Sequence, residues 1–391
     1  MKNTFGRQKS EYDMISSYSL KDLIIYFLKI GTWGFGGPVA LVGYMHRDLV
    51  DHKKWISEDD YKEGLALAQL APGPLAAQLA IYIGYVHYRI LGATLAGLAF
   101  VLPSFIMVLL IGYAYVSYGG LPWMQAIFYG VGAAVVGIIA VGSYRLTRKS
   151  IGNDKLLWII FIALAAPTFI MEEENLWLIL LAGVVVWFAK APPKWLASGA
   201  NGILPAILVQ VQPVVTESKL WEIAWFFVKA GAFVFGSGLA IVPFLYGGVV
   251  KEYQWLNEQQ FLDAVAVAMI TPGPVVITVG FIGYLVAGVP GACVAALATF
   301  LPCYLFTVIP APYFKKYGKH PAIKAFVDGV TAAAIGAIAG AVLVLAKRTL
   351  SDIPTILIAV AVTAILLKYK KVQEPIIIFI AAFIGIFLKT M

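Results

Sequence analysis

The hydrophobic pattern of the chain consists of long apolar runs separated by short polar segments. Runs of about 17–25 residues are long enough to cross the hydrocarbon core of a bilayer as helices. In the first half the predicted spans are 21–45, 91–116, 123–146, 155–171 and 175–190, and the second half contains their counterparts. The sequence lacks the short alternating strands that are typical of a membrane β-barrel. The pattern therefore predicts an all-α polytopic membrane protein.

The chain is an internal duplication. A shift of 200 residues (27 to 227) aligns "FLKIGTWGFGGPVALV", which starts at Phe27, with "FVKAGAFVFGSGLAIV", which starts at Phe227. The tripeptide Pro-Gly-Pro recurs with the same shift. We expect two homologous repeats, 1–192 and 217–391, joined by a linker over 193–216 that is rich in proline and glycine.

The charges of the loops indicate that the two repeats are inverted in the membrane. The acidic segment 172–174 of the first repeat corresponds to the basic segment 368–371 of the second, and the uncharged loop 118–122 corresponds to the basic loop 315–320. Because cytoplasmic loops carry an excess of lysine and arginine, equivalent loops then lie on opposite sides of the membrane. Two consecutive repeats lie inverted in the membrane only if each repeat contains an odd number of spans. We therefore expect about five spans per repeat, plus one re-entrant hairpin at each Pro-Gly-Pro segment.

Each Pro-Gly-Pro tripeptide interrupts an apolar stretch; the residues are Pro72, Gly73, Pro74, Pro272, Gly273 and Pro274. Proline removes a backbone donor and keeps the preceding residue out of the helical region, so each tripeptide ends one helix and starts another. Inside a bilayer such breaks survive only where protein or a water-filled cavity covers the backbone. Paired broken helices in inverted repeats indicate a midplane substrate site, and helix N-termini favour anions. A plain kink, or a surface loop between two ordinary helices, is the structural alternative.

Two lysines occupy equivalent positions inside the first predicted span of each repeat. Lys29 and Lys229 each stand two residues before a glycine. A charge near the bilayer centre costs roughly 2.5–3.5 kcal/mol on insertion scales, which favours a role in attracting an anion; snorkelling to the headgroups is the alternative. The glycine-rich breaks that follow contain Gly36, Gly37 and Gly236. Their backbone N–H groups are candidates for oxyanion binding, with close helix packing as the alternative.

Four further polar residues lie near the Pro-Gly-Pro breaks. Gln69 and Gln78 flank the first break and offer uncharged amide donors, with core hydrogen bonding as the alternative. Glu63 and Asp263 align with each other and are candidates to carry a coupling proton, although we expect them to be solvated at the surface. The segments "WISEDDY" and "WLNEQQF" just before them predict helix starts with a serine or asparagine N-cap.

Composition narrows the class of function. The chain is 61% hydrophobic and 13% charged, which is about half the charged fraction of a typical soluble protein. The net charge of +8 comes from lysines and arginines scattered between apolar runs. That distribution is typical of membrane topology and argues against nucleic-acid binding. Neither the four histidines and two cysteines nor any motif indicates a metal site, a nucleotide site or catalysis, so we expect no enzyme and no cofactor.

The motifs "FGGP", "WISE", "PGP" and "YIGY" of the first half recur as "FGSG", "WLNE", "PGP" and "FIGY" in the second. This combination resembles the long, two-domain form of the chromate ion transporter family. The resemblance implies a multi-pass protein of the bacterial inner (plasma) membrane that exports chromate, a sulfate-shaped dianion, driven by the proton motive force. The chain departs from the family pattern at Leu41, where a histidine is frequent, and at Val86 and His87, where a basic pair is frequent.

These observations lead to one leading hypothesis and two alternatives. The leading hypothesis is a secondary active transporter, an antiporter that exports chromate and confers chromate resistance, with the anion bound between the repeats at the broken helices. The alternatives are transport of another anion, such as sulfate or a small carboxylate, and flipping of an anionic lipid. The expected partners are the oxyanion, the bilayer and a coupling proton, and the pattern is compatible with a dimer.

Overall fold

A computed structural model describes residues 18–35, 37–118, 122–171, 176–192, 218–232, 241–317, 320–369, 372 and 374–390. Within these ranges the regular secondary structure is helical, with no β-strand. The predicted all-α class is therefore confirmed for the described part of the chain.

The helices of the first repeat are α1 (Leu20–Trp33), α2 (Gly37–Met45), α3 (Glu58–Leu70), α4 (Leu75–Tyr118), α5 (Pro122–Ser150), α6 (Lys155–Met171) and α7 (Leu176–Lys190). Those of the second repeat are α8 (Lys219–Ala232), α9 (Ile241–Tyr246), α10 (Glu258–Ile270), α11 (Thr278–Val308), α12 (Ala311–Tyr317), α13 (Pro321–Thr349), α14 (Ile353–Lys368) and α15 (Glu374–Thr390). A π-helical segment continues α2 (His46–His52) and α9 (Gly247–Glu252), and a 3-10 turn precedes α11 (Val275–Ile277).

Four helical stretches of the described chain are long and apolar enough to cross a membrane: Leu75–Tyr118, Gln125–Arg148, Val275–Phe314 and Pro321–Lys347. The helices α6, α7 and α14 contain shorter apolar stretches. The predicted span 21–45 is divided in two, because α1 ends at Trp33 and α2 begins at Gly37. The glycine-rich segment between them has extended backbone at Gly34, as expected for a break rather than a continuous helix.

The helix α4 is not straight, because the chain reverses direction within it at Arg89. The backbone of Arg89 has φ 52° and ψ −143°, far from helical values. A Cβ atom on Gly84 would collide with the main chain of Gly92, whereas two residues that far apart in sequence are separated by about 12 Å along a straight helix. Residues 75–88 therefore fold back against 90–118.

The second repeat reverses at the equivalent place, Gly288, where φ is 61° and ψ is −153°. Gly283 and Gly291 make the matching backbone contact. In each repeat the helix before the Pro-Gly-Pro tripeptide has 13 residues, a length of about 20 Å. That length is shorter than the hydrocarbon core of about 30 Å, so the geometry is compatible with the predicted re-entrant hairpins.

Both predicted helix starts before the Pro-Gly-Pro tripeptides are confirmed. The side chain of Ser57 accepts a hydrogen bond from the amide of Asp60 at 3.1 Å. Asn257 and Gln260 form a complete capping box, with reciprocal bonds of 2.8 and 3.0 Å. These caps satisfy amide groups that have no partner within the helix, so they fix where α3 and α10 begin.

The two repeats interlock through their last helices. The helix α13 of the second repeat packs against α6 and α7 of the first, and α5 of the first packs against α14 and α15 of the second. Glycines permit this close approach: Gly336 lies against the main chain of Phe161, and Gly130 lies against the main chain of Ala381. The last helices of each repeat are therefore held by the opposite repeat.

Candidate functional site

A cavity of about 800 Å³ opens beside α1 in the first repeat. Its lining includes Lys29 and Trp33 from α1, Arg47 from the π-helical segment, and Lys53 and Trp55 from the following loop. Its volume falls in the range of pockets for small molecules, about 300–1,000 Å³. The cavity therefore has room for a small oxyanion together with water.

Among the three cationic side chains of this cavity, Lys29 alone has no interaction partner in the described part of the chain. Arg47 is paired with Asp48, with 2.9 Å between Nε and Oδ1. The ammonium of Lys53 lies 4.6 Å from the ring centroid of Trp55. Lys29 makes no hydrogen bond, ion pair or ring contact with any other described residue. Its positive charge is thus available to a ligand.

The two carboxylates of the cavity already hold neighbouring groups. Asp22 accepts hydrogen bonds from the hydroxyl and the amide of Ser19, at 2.6 and 3.0 Å. Asp48 accepts from Arg47 and, at 3.4 Å, from the hydroxyl of Tyr26. Three cations against two engaged carboxylates leave the cavity with a net positive charge, which favours an anion.

A residue of the cavity wall is hydrogen-bonded to the Pro-Gly-Pro tip of the second repeat. Gly34 lines the cavity, and its carbonyl oxygen accepts a hydrogen bond of 3.1 Å from the amide of Gly273. A side chain at Gly273 would collide with the hydroxyl of Ser104, and its φ of 94° favours glycine. The Pro-Gly-Pro residues themselves are not part of the described cavity lining, so the structure brings Gly273 to the cavity wall but not into it.

The Pro-Gly-Pro tip of the first repeat packs in the same way against the second repeat. A Cβ on Gly73 would lie 3.1 Å from the sulfur of Cys303. The side-chain amide of Gln78, which is fully buried, donates to the carbonyl oxygen of Pro72 at 2.8 Å. Its Oε1 atom has no hydrogen-bond partner among the described residues. Gln69 is exposed, so the two glutamines of the first break do not form one site.

Other predicted site residues lie outside the described part of the chain or outside the cavity. Gly36 and Gly236 lie outside the described residues, whereas Gly37 begins α2. Lys229 is half-buried, with its ammonium 5.9 Å from the ring centroid of Trp225. The segment 233–240, which corresponds to the break after Lys29, is not described.

The expectation that Asp263 is solvated at the surface is wrong. Only 3% of the surface of Asp263 is exposed. The hydroxyl of Tyr115, on α4 of the first repeat, donates to Oδ2 at 2.7 Å, and the side chain of Gln259 donates to Oδ1 at 2.8 Å. The aligned carboxylate, Glu63, is half-buried and interacts with Tyr82 of its own repeat. The two acids therefore differ in surroundings despite their equivalent positions.

Sequence reasoning missed most of the residues that surround Lys29 and Asp263. Arg47 and Lys53 carried only a topological signal, because they lie in a basic loop. Tyr115 lies in an uninterrupted apolar span, so nothing in the local pattern distinguishes it. Ser104 and Cys303 occupy aligned positions (a shift of 199 residues, 104 to 303), and that alignment was the signal available for the two tip contacts.

A family model described as "Chromate transporter" matches the chain twice, over residues 21–187 and 221–386. The chain belongs to the chromate transporter family. The two matches confirm both the resemblance and the presence of two repeats. As expected from the sequence, the protein is a transport protein and not an enzyme.

Curated relatives of the transporter cover nearly its whole length. A "Chromate transport protein" of Cupriavidus metallidurans is 70% identical over 95% of this chain and 93% of its own. A "Probable chromate transport protein" of Synechococcus elongatus is 63% identical over 95% of this chain and 96% of its own. A "Chromate transport protein" of Pseudomonas aeruginosa is 29% identical over 93% of this chain and 91% of its own. No solved structure matches the chain.

Proposed function

We propose that the protein is a secondary active transporter that exports chromate across the bacterial inner membrane, driven by an ion gradient. The observation that carries the proposal is the partner-free ammonium of Lys29 in a cavity that also contains Arg47 and Lys53. Two relatives of 70% and 63% identity named as chromate transport proteins support the choice of anion.

A dianion that enters the cavity gives up its hydration shell, and the cationic side chains of the cavity replace that water. Lys29 supplies a compact charge, and the guanidinium of Arg47 keeps N–H groups free when Nε is held by Asp48. Charge-assisted hydrogen bonds of this kind are roughly twice as strong as neutral ones. The prediction from the sequence that backbone N–H groups of Gly36 and Gly37 bind the oxyanion stays part of this proposal, although Gly36 lies outside the described residues.

The broken helices give the site a way to open alternately to the two sides. In this proposal, the tip at Gly273 moves with the second repeat and changes the cavity wall at Gly34. The equivalent elements, Lys229, Gly236 and the first tip with Gln78, act in the other half of the cycle. Rocking of one repeat against the other is the usual mechanism of transporters with inverted repeats. Glu63 and Asp263 are the candidates to couple the movement to an ion.

Movement of radiolabelled chromate into proteoliposomes tests the proposal. Uptake is measured with and without an imposed pH gradient, and unlabelled sulfate is the competitor. We expect saturable, gradient-dependent movement, reduced about tenfold or more by Lys29→Gln, because a hydrogen bond to a charged group contributes about 1.5–3 kcal/mol. Lys21→Gln is the matched control, since Lys21 lies on the same helix outside the cavity lining.

Two results would contradict the proposal. Wild-type chromate movement in the Lys29→Gln variant would remove Lys29 from the site. An absence of chromate movement by folded wild-type protein would replace chromate with another substrate. Uptake of labelled sulfate or a small carboxylate would then identify a different anion, and scrambling of a labelled anionic lipid would identify a flippase.

A further inference from the structure

Asp263 is a buried carboxylate without a cationic partner. No lysine, arginine or histidine of the described chain forms an ion pair with it. Its two partners, Tyr115 and Gln259, are neutral hydrogen-bond donors. Keeping a lone carboxylate charged away from water is costly. The site is therefore suited to binding and releasing a proton.

A second cavity reaches Gln259, one of the two hydrogen-bond partners of this carboxylate. This cavity, of about 270 Å³, is lined by Gln259, Glu258, Tyr246 and Leu262, among others. Gln259 is an exposed residue, and its side-chain amide donates a hydrogen bond to the carboxylate of Asp263. The cavity shares no lining residue with the one that holds Lys29. The surroundings of Asp263 are therefore distinct from the cavity that contains Lys29.

Charged groups on the elements packed against α10 are engaged elsewhere. Arg145 on α5 donates to a main-chain carbonyl of α14, and Glu374 at the start of α15 lies in the field of Arg145. Lys389 on α15 lies 4.6 Å from the ring centroid of Tyr129. No hydrogen bond joins Asp263 to Glu258 on its own helix, or to the other described charged or histidine side chains of these elements, which are His87, Arg89, Arg148, Lys251 and Glu252. Tyr115 is the titratable side chain that contacts Asp263.

Glu63 and Asp263 each have a tyrosine hydroxyl nearby, but the tyrosine beside Glu63 belongs to the same repeat and the one beside Asp263 belongs to the opposite repeat. Glu63 interacts with Tyr82 of its own repeat, and the residue aligned with Tyr82 in the second repeat is Phe281. Phe281 lacks a hydroxyl and packs edge-to-face on Tyr115, with ring centroids 5.4 Å apart. Tyr115 thus supplies across the repeat interface the hydroxyl that Phe281 lacks. The result is that Asp263, unlike Glu63, is bonded to the opposite repeat.

We propose that Asp263 is the proton-binding carboxylate of the transport cycle, and that its charge controls the hydrogen bond through which Tyr115 ties the two repeats together. The charged carboxylate holds the Tyr115 hydroxyl strongly, because hydrogen bonds to ionised acceptors are the stronger ones. A proton entering past Gln259 neutralises Asp263, weakens this tie and lets α4 and α10 move apart. The transport role rests on the proposed function, whereas proton binding does not.

Infrared difference spectroscopy of the purified protein in lipid vesicles, titrated with pH, tests proton binding without chromate. We expect the carboxylic-acid C=O band that grows on acidification to contain a component that is missing from Asp263→Asn. Asp59→Asn, an exposed acid at the start of α3, is the control and should keep the band. In Tyr115→Phe the band should persist to higher pH, because a donor that stabilises the charged form is missing. An unchanged band in Asp263→Asn would overturn the proposal.

Transport assays then test the role of this proton. We expect Asp263→Asn to lose acceleration by a pH gradient but to keep exchange of labelled for unlabelled chromate, which requires no net proton movement. Loss of exchange in a folded variant, or an intact gradient response, would overturn the coupling role. Asp59→Asn, the exposed control, should keep its gradient response, and loss of that response in Glu63→Gln but not in Asp263→Asn would move the role to Glu63. If wild-type vesicles moved no chromate, the proposed function would fail while the infrared result still decided whether Asp263 binds a proton.

Discussion

The amide of Gly273 donates to the carbonyl oxygen of Gly34 at 3.1 Å, which joins the Pro-Gly-Pro tip of one repeat to the helix break of the other. Gly34 caps the C-terminus of α1, where carbonyl groups have no partner within the helix. Each break therefore satisfies a backbone group that the other leaves open. This mutual satisfaction is what permits two interruptions where no lipid could solvate the backbone.

The tip contact predicts that Gly273→Ala destabilises the protein. The added Cβ meets the hydroxyl of Ser104, and the φ of 94° is strained for alanine. We expect a loss of about 1–3 kcal/mol in the free energy of unfolding, measured as a lower midpoint of thermal unfolding in detergent. Gly247→Ala is the control, because a Cβ there has open space. Equal midpoints for the two variants would show that the tip is not held as described.

Chromate affinity should depend on Arg47. Replacement by glutamine removes a cation from the cavity wall and leaves Asp48 without its ion pair. We expect Arg47→Gln to raise KM for chromate about tenfold, the equivalent of one charge-assisted hydrogen bond of ~1.4 kcal/mol. Arg148→Gln, on the exposed face of α5 outside the cavity, should leave KM unchanged. Equal KM values in the two variants would exclude Arg47 from binding.

The contact between Gly73 and Cys303 predicts a protected thiol. Cys303 is fully buried, whereas Cys293 is only partly so. In a Cys293→Ser background we expect no maleimide labelling of Cys303 in the folded protein and complete labelling after unfolding, measured by mass spectrometry. Because the buried thiol behaves as a small apolar group, Cys303→Ser should lower the free energy of unfolding by about 1–3 kcal/mol, the cost of burying a hydroxyl. Rapid labelling of the folded protein would mean that the tip opens readily.

Much of the fold was predictable because it depends on local pattern. Long apolar runs, the duplication and the two Pro-Gly-Pro breaks follow from composition and proline chemistry, and so do the caps at Ser57 and Asn257. These features need only neighbours in sequence, or the comparison of one repeat with the other.

The rest depends on contacts between distant segments. Asp263 is buried because Tyr115 and the helices of the first repeat cover it, and no local signal separates it from Glu63. The interlocking of α13 with α6 and α7 is likewise a property of the assembled repeats. The reversal at Arg89 escaped notice for a different reason, since an arginine gives no sign of a left-handed backbone.

That reversal leads to a prediction about stability. Arg89 adopts φ 52° and ψ −143°, a conformation that glycine takes readily, and the second repeat has Gly288 at this place. The strain on arginine is of order 1–3 kcal/mol. Against it stand the interaction of the guanidinium with the ring of Tyr85, 5.6 Å away, which contributes about 0.5–1 kcal/mol, and the entropy of glycine in the unfolded chain, of similar size.

We therefore expect Arg89→Gly to raise the free energy of unfolding by about 1 kcal/mol or less, and Gly288→Ala to lower it by about 1–3 kcal/mol. Thermal unfolding of both variants beside the wild type measures the two effects in opposite directions. Because Gly288 has open space for a Cβ apart from a ring carbon of Pro290 at 4.0 Å, a loss in Gly288→Ala reports backbone strain and not a collision. Destabilisation by Arg89→Gly would mean that the arginine side chain contributes more than its strained backbone costs.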